Sequence, residues 1–200
     1  MIIGILGQMR TGKSTLAQRI KEEYGADMIY SFAEPLRKEC AVLLFPGISH
    51  EIARMRLAEV ERVTKPLVRP LLQAVGESKR RIIDRDYWVN AVAHVLGARV
   101  RDPNTIVVID DVRHENEARF ILENGGILIR LSADRETLIE RGADADRLEH
   151  YSETAMVALS ETEKKWAHRC LRINTSGLSP AGVFKGLRRF LNEMLWGEEE

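Results

Sequence analysis

The chain has 200 residues, 44% hydrophobic and 30% charged, the make-up of one mid-sized globular domain rather than a disordered segment. Thirty Lys+Arg offset thirty Asp+Glu, which excludes the bulk positive field of a non-specific nucleic-acid binder, so no nucleic-acid polymer is expected as a partner. Cys40 and Cys170 form no CxxC pair, and the longest apolar runs, such as Ala41 to Phe45, fall far short of the ~20 residues of a membrane span. With no basic segment behind Met1 to suggest a signal peptide, a cytoplasmic protein without zinc ribbon, disulfide scaffold or membrane contact is expected.

In chain order, Ile2 to Leu6 is a short β-branched apolar run stopped by Gly7, the pattern of a buried strand. Lys13 to Tyr24 carries Leu16, Ala17 and Ile20 at helical spacing and ends at Gly25. Asp27 to Phe32 reads as a second strand. A long helical stretch from Glu34 to Leu96 follows, with breaks expected near Pro46-Gly47, near Lys65-Pro66 and at Gly76. Thr105 to Ile109 is the clearest buried strand. Glu115 to Asn124 reads as a helix, Ile127 to Leu131 as a strand, and Asp134 to Arg141 as a helix. Asp144 to Ser152 reads as a polar loop, Glu153 to Trp166 as helix, Arg169 to Ile173 as the last strand, and Pro180 to Trp196 as an amphipathic helix. Strands alternating with helices predict an α/β fold, a parallel sheet of about five strands with helices on both faces.

Gly7-Gln8-Met9-Arg10-Thr11-Gly12-Lys13-Ser14 fits G-x-x-x-x-G-K-[ST], placed between a buried strand and an amphipathic helix as a phosphate-binding P-loop requires. The glycines let successive N–H groups turn toward phosphate, Lys13 reaches the β- and γ-phosphates, and the Ser14 hydroxyl ligates Mg²⁺. Gly7 to Thr15 is therefore the expected ATP-binding segment, with the helix N-terminus adding its positive end. Asp110 and Asp111 at the end of the third strand are candidates to hold Mg²⁺ with Ser14. Spacing does not choose between them, and one can instead cap the next helix or pair with Arg113. Arginine makes up 22 of the 30 basic residues, and its planar fork suits phosphate.

No Asn-Lys-x-Asp motif follows a late strand; Asn174-Thr175-Ser176-Gly177 does not fit it, which argues against a GTPase. A small-molecule kinase remains. Ser31-Phe32-Ala33-Glu34-Pro35-Leu36-Arg37, Leu71-Leu72-Gln73-Ala74-Val75-Gly76, Asp111-Val112-Arg113-His114-Glu115-Asn116-Glu117 and His150-Tyr151-Ser152-Glu153, with Arg81 and Trp88 between them, form an ordered set. This set resembles the phage-type deoxynucleoside monophosphate kinases, a branch of the P-loop nucleoside monophosphate kinases, from Ile2 to about Asn174. Glu77 and His114 depart from the family pattern.

The resemblance implies transfer of the ATP γ-phosphate to a deoxynucleoside 5′-monophosphate, with Mg²⁺. It also implies a single kinase domain over 1–200: a core of about 1–32, 98–131 and 167–196, an acceptor-binding helical insertion over 34–97, and a lid over 132–153. On the acceptor side Arg37, Arg69, Gln73, Arg81 and Trp88 are candidates, with Arg113 and His150. Arg69 and Gln73 share a helical face, so one can take phosphate while the other reads a base edge, and Trp88 can stack on the base. Equally open are surface ion pairs for Arg69 and Arg81, a core role for Trp88, and an Arg113–Glu117 pair. Arg135 and Arg141 flank the lid helix, and one of them is expected to approach the transferred phosphate together with Lys13. The alternatives are a P-loop kinase of the dephospho-coenzyme A or phosphomevalonate type, and a non-catalytic ATP-binding regulatory module. Oligomeric state is not readable; a homodimer is compatible with the apolar face of the last helix.

Overall fold

The computed structural model describes residues 1–102, 104–144, 148 and 160–197. Two compact units divide the chain: Met1–Ser31 with Ala98–Glu200, and Phe32–Gly97.

The first unit is built on five parallel strands in the order β2-β3-β1-β4-β5. These are β1 Ile2–Gly7, β2 Met28–Tyr30, β3 Val107–Val112, β4 Ile127–Ser132 and β5 Cys170–Asn174. Parallel strands need crossovers, and in this unit α1 (Lys13–Tyr24), α5 (Glu115–Glu123), α6 (Arg135–Glu140) and α7 (Ser160–Lys165) lie between strands, while α8 (Pro180–Trp196) follows β5. Every residue of β1 is buried because both faces of the sheet are covered. Ile3 and Ile5 pack with Leu16, Ala17 and Ile20 of α1 and with Val183, Phe184, Leu187 and Leu191 of α8. On the other face Ile121 of α5 closes over Gly4, where an added Cβ would lie 2.5 Å from its Cδ1. Each buried Leu, Ile or Phe contributes about 1.5–3 kcal/mol, so the apolar stripes of α1 and α8 hold them to the sheet. Helix α8 begins where expected: the Ser179 hydroxyl accepts from Gly182 N at 3.2 Å and Pro180 fills the first turn.

The second unit contains α2 (Ala33–Leu44), α3 (His50–Ile82) and the start of α4 (Tyr87–Arg101), which passes into the first unit through a kink at Gly97. Cys40 and Ala41 of α2 pack with Ala53, Leu57 and Val68 of α3.

Several boundaries differ from the sequence reading. The second strand is shorter than Asp27 to Phe32, because Asp27 is drawn aside: its carboxylate accepts from Ile106 N at 2.8 Å. The third strand begins two residues later than Thr105 and continues through Asp110 and Asp111. The break expected near Lys65-Pro66 is present as a kink at Thr64, whereas none occurs at Gly76. Near Pro66, which has no N–H for the helical ladder, the strain appears as non-helical angles at Thr64, whose hydroxyl donates to Val60 O at 2.9 Å. Gly76 stays helical, its carbonyl accepting the Trp88 indole N–H at 3.0 Å. The break falls instead at 83–86, where Tyr87 N and Asp86 N both bond to Asp84.

Candidate active site

β1 lies between β3 and β4, so strand order reverses direction at its carboxyl end, where open α/β sheets bind ligands. The P-loop follows β1 at that point. Gly7 turns the chain at φ 153°, and a Cβ there would sit 2.4 Å from the Leu131 carbonyl oxygen, so only glycine fits. Arg10 at the loop tip adopts φ 63°, a left-handed conformation uncommon for a residue with a side chain. Gly12, also left-handed, starts α1 with no side-chain cap, leaving the first-turn N–H groups for an anion. Lys13 Nζ donates to the carbonyls of Gly7 and Gln8, each at 2.7 Å. Thr11 is buried, its hydroxyl donating to Gln8 O at 2.8 Å. Met9 packs against Leu138, Ala143 and Leu148, while Ser14 and Thr15 are exposed at the start of α1.

The two aspartates divide. Between the pairs Gly4↔Ile109 and Leu6↔Val112, β1 advances two residues while β3 advances three. That one-residue bulge falls at Asp110-Asp111, and bulges beside active sites re-aim side chains in this way. Asp110 Oδ2 accepts from Ser14 Oγ at 2.8 Å, and Asp111 Oδ2 accepts from Ser31 Oγ at 2.5 Å. A strict pleat would send consecutive side chains to opposite faces. The bulge leaves each carboxylate hydrogen-bonded to the serine of a neighbouring segment. Ser14 and Asp110 together offer hard oxygen donors of the type Mg²⁺ takes. Mg²⁺ needs only one or two protein oxygens beside water and phosphate, so the pair fits such an ion. Among the described residues, no group of three or more His, Cys, Asp or Glu gathers elsewhere to hold a metal.

Arg141 caps the end of α6 and reaches back to the P-loop. Its Nη2 donates to Thr175 O at 2.7 Å, and its Nη1 to Thr175 Oγ1 at 3.0 Å and to Arg10 O at 3.5 Å. Arg135 lies in the first turn of α6. Arg113 and Glu117 do interact: the Glu117 carboxylate accepts from Arg113 N at 2.7 Å and from His114 N at 3.0 Å, which seats the start of α5. His150 lies outside the described residues.

In the helical unit, Arg37 Nε pairs with Glu61 at 3.2 Å. Arg81 pairs with Glu77 at 2.7 Å across one turn of an exposed face. Arg69 is half-buried and Gln73 exposed. Trp88 must be corrected: only 2% exposed, with its N–H spent on Gly76 O and its ring edge-on to Tyr87 at 4.8 Å, it presents no face for a base to stack on.

Sequence reasoning passed over three residues. Ser31 stands in a quoted motif yet had no role until its hydroxyl appears on Asp111. Thr175 lies in the segment tested only against a GTPase motif. Glu163 of α7, 3% exposed, receives Arg130 Nε at 2.7 Å and Arg172 Nη2, the two arginines being register neighbours on β4 and β5. Only a lone acid among many charges marks Glu163 in the sequence.

A parallel sheet with a P-loop at its switch point and a Ser–Asp oxygen pair beside it defines a P-loop nucleotide-binding protein of the phosphotransferase kind. Residues 3–157 match the family described as AAA domain. A protein of Acanthamoeba polyphaga mimivirus provisionally named a deoxynucleotide monophosphate kinase is 32% identical over 146 residues, 66% of this chain and 73% of its own. The chain belongs to this family of P-loop kinases. Among solved structures, the shikimate kinase of Aquifex aeolicus aligns over 94% of each chain at 15% identity and a TM-score of 0.47, a likeness too loose to carry an argument. Among the described residues, no helix is long and apolar enough to cross a membrane.

Proposed function

We propose that the protein transfers the γ-phosphate of ATP to a deoxynucleoside 5′-monophosphate. An oxygen of the acceptor phosphate attacks the γ-phosphorus, the bond to the β,γ-bridging oxygen breaks, and ADP and the deoxynucleoside diphosphate leave. The observation that carries the phosphotransfer is the Ser14–Asp110 contact beside an uncapped P-loop helix. The acceptor class rests on the motif set and on the mimiviral relative.

Transfer through a loose, charged transition state calls for positioning and positive charge more than for a strong base. Lys13 exchanges its carbonyl partners Gly7 and Gln8 for the β- and γ-phosphate oxygens. Mg²⁺, when bound by Ser14 and Asp110, neutralises charge on those oxygens. Asp111 holds Ser31 rather than the ion. Arg135 is the arginine assigned to the transferred group. Arg37, Arg69 and Gln73 of the helical unit are assigned to the acceptor, with Arg37 leaving Glu61 as it takes phosphate. A soluble cytoplasmic enzyme of nucleotide metabolism is the setting this reading favours.

The test is ³¹P NMR of ATP, Mg²⁺ and each deoxy- and ribonucleoside monophosphate in turn, with Lys13→Ala as the blank. Paired ADP and deoxynucleoside diphosphate signals, absent in the blank, are expected. Diphosphate from none of the acceptors would overturn the assignment and redirect it to another small phosphate acceptor.

A further inference from the structure

We infer that Arg141 is a positioning residue for the donor nucleotide: it ties the turn after β5 to the tip of the P-loop and does not act on the transferred phosphate. The inference rests on the P-loop as the donor site and is independent of the acceptor's identity.

Three observations meet at this side chain. First, the guanidinium is committed. Two of its N–H groups grip Thr175, at the main-chain oxygen (2.7 Å) and the hydroxyl (3.0 Å), a fork that fixes the plane of the group. A third contact, to the Arg10 carbonyl at 3.5 Å, is at the outer limit of a hydrogen bond and marks the direction of reach. Second, Thr175 is itself rigid. It is 1% exposed, and both its N–H (2.7 Å) and its hydroxyl (3.0 Å) donate to Ser132 O at the end of β4. The next residue is held as well, Ser176 Oγ accepting from Asp134 N at 2.8 Å. An arginine anchored to such a post is anchored to the sheet.

Third, what Arg141 reaches is the strained part of the P-loop. Among the described residues Arg10 is the non-glycine residue with positive φ, an arrangement that persists only where its surroundings over-determine it. The surroundings are the α6 segment: Met9 packs on Leu138, Ala143 and Leu148, and the Gly142 Cα region lies against the Arg10 guanidinium, 3.8 Å from its Nη2 by the position of an added Cβ. The peptide groups at this tip are those that must point inward on a phosphate. Loosening Arg141 lets the tip relax, which weakens nucleotide binding before any bond is broken.

A transition-state arginine and a positioning arginine predict opposite kinetic patterns. An arginine that touches the γ-phosphate only during transfer lowers kcat and leaves ATP affinity in place. Arg141, acting on the ground-state shape of the loop, raises the Kd and KM for ATP and leaves kcat at saturating ATP nearly intact.

The experiment is a titration of full-length protein with MgATP in the absence of acceptor, comparing wild type with Arg141→Ala, Arg141→Lys, Thr175→Val and the Arg141→Ala/Thr175→Val double variant. Thermal melts identify any variant that fails to fold, and Arg141→Lys, which keeps the charge and length but loses the fork, decides the matter if Arg141→Ala is lost. Expected are a Kd about tenfold weaker for Arg141→Ala and for Arg141→Lys, equivalent to about 1.4 kcal/mol. Thr175→Val should fall several-fold, and the double variant should be no weaker than Arg141→Ala by more than twofold, because both remove the same link. In steady state the KM for ATP should rise in parallel, with kcat within threefold. Wild-type affinity in a folded Arg141→Ala or Arg141→Lys protein, or a large fall in kcat at unchanged Kd, would overturn the inference. A wild-type protein that binds MgATP but phosphorylates no nucleotide would refute the proposed acceptor while leaving the Kd comparison decisive.

Discussion

The division between Asp110 and Asp111 makes the sharpest prediction. In Asp110→Asn the side chain keeps its shape and an oxygen able to accept from Ser14 Oγ, which sits at 2.8 Å in an exposed setting. A hydrogen bond of this kind contributes about 0.5–1.5 kcal/mol, and only part of it is lost. The melting temperature should therefore fall by less than the 2–4 °C that ~1 kcal/mol produces in a chain of this size. The lost negative charge has a different consequence, because under the proposed function it is the charge that would hold Mg²⁺ beside the phosphates. Removing one preorganised electrostatic contact of that sort costs about 10²–10³ in kcat. Asp111→Asn retains an acceptor for Ser31 and carries no ion in this account, so it should lose less than tenfold. The assay is a Mg²⁺ titration of turnover for both variants beside their melting curves. Equal losses in the two variants, or Asp110→Asn within threefold of wild type at every Mg²⁺ concentration, would refute the reasoning.

Further expectations follow from the packing. Glu163→Ala strips the buried carboxylate from Arg130, whose side chain is 17% exposed, and breaking such a pair costs about 3–5 kcal/mol; urea unfolding should show it, and Glu163→Gln should lose less. Trp88→Phe removes the buried indole hydrogen bond to Gly76 O, which also lies in the helical ladder, at a cost of about 0.5–1.5 kcal/mol in the same assay, while the KM for the nucleotide acceptor moves less than threefold because the ring is not at the base. Burial, and secondarily the Glu163 carboxylate, pushes the Cys170 thiol up to about 11. The folded state then holds a proton that the unfolded chain has released, so this group's contribution to stability is present below the ordinary thiol value of 9.0 and is lost as pH rises toward 11. In Cys40→Ser protein, iodoacetamide should label Cys170 at pH 9 more slowly in the folded state than in urea.

Much of the first unit was legible in sequence because its signals are local. The run of β1, the P-loop and the stripe of α1 occupy consecutive residues, and Lys13–Tyr24 and Pro180–Trp196 form helices at the expected ends. Where the reading missed, a contact from far along the chain decided the outcome. Thr105 leaves the strand because Asp27, 79 residues before Ile106, takes the edge N–H there. Gly76 looks like a helix break until Leu36 and Trp88 are seen to need its small size and its carbonyl. The acceptor residues rest on the motif resemblance, with helical spacing added for Arg69 and Gln73, and neither says that Arg81 and Glu77 spend their charges on each other. Asp110 and Asp111 are equivalent as letters; the bulge that separates them is a property of strand register, and register is set by pairing with β1.

If the protein is a nucleotide kinase, phosphate leaves ATP only when a nucleotide is present to receive it. Coupled ADP release from MgATP, measured with and without each deoxynucleoside monophosphate, tests this most directly, with Lys13→Ala as the reference for background. Release should rise at least a hundredfold with one or more deoxynucleotides and disappear in the variant. Release at the same rate with and without every nucleotide would contradict the proposed function.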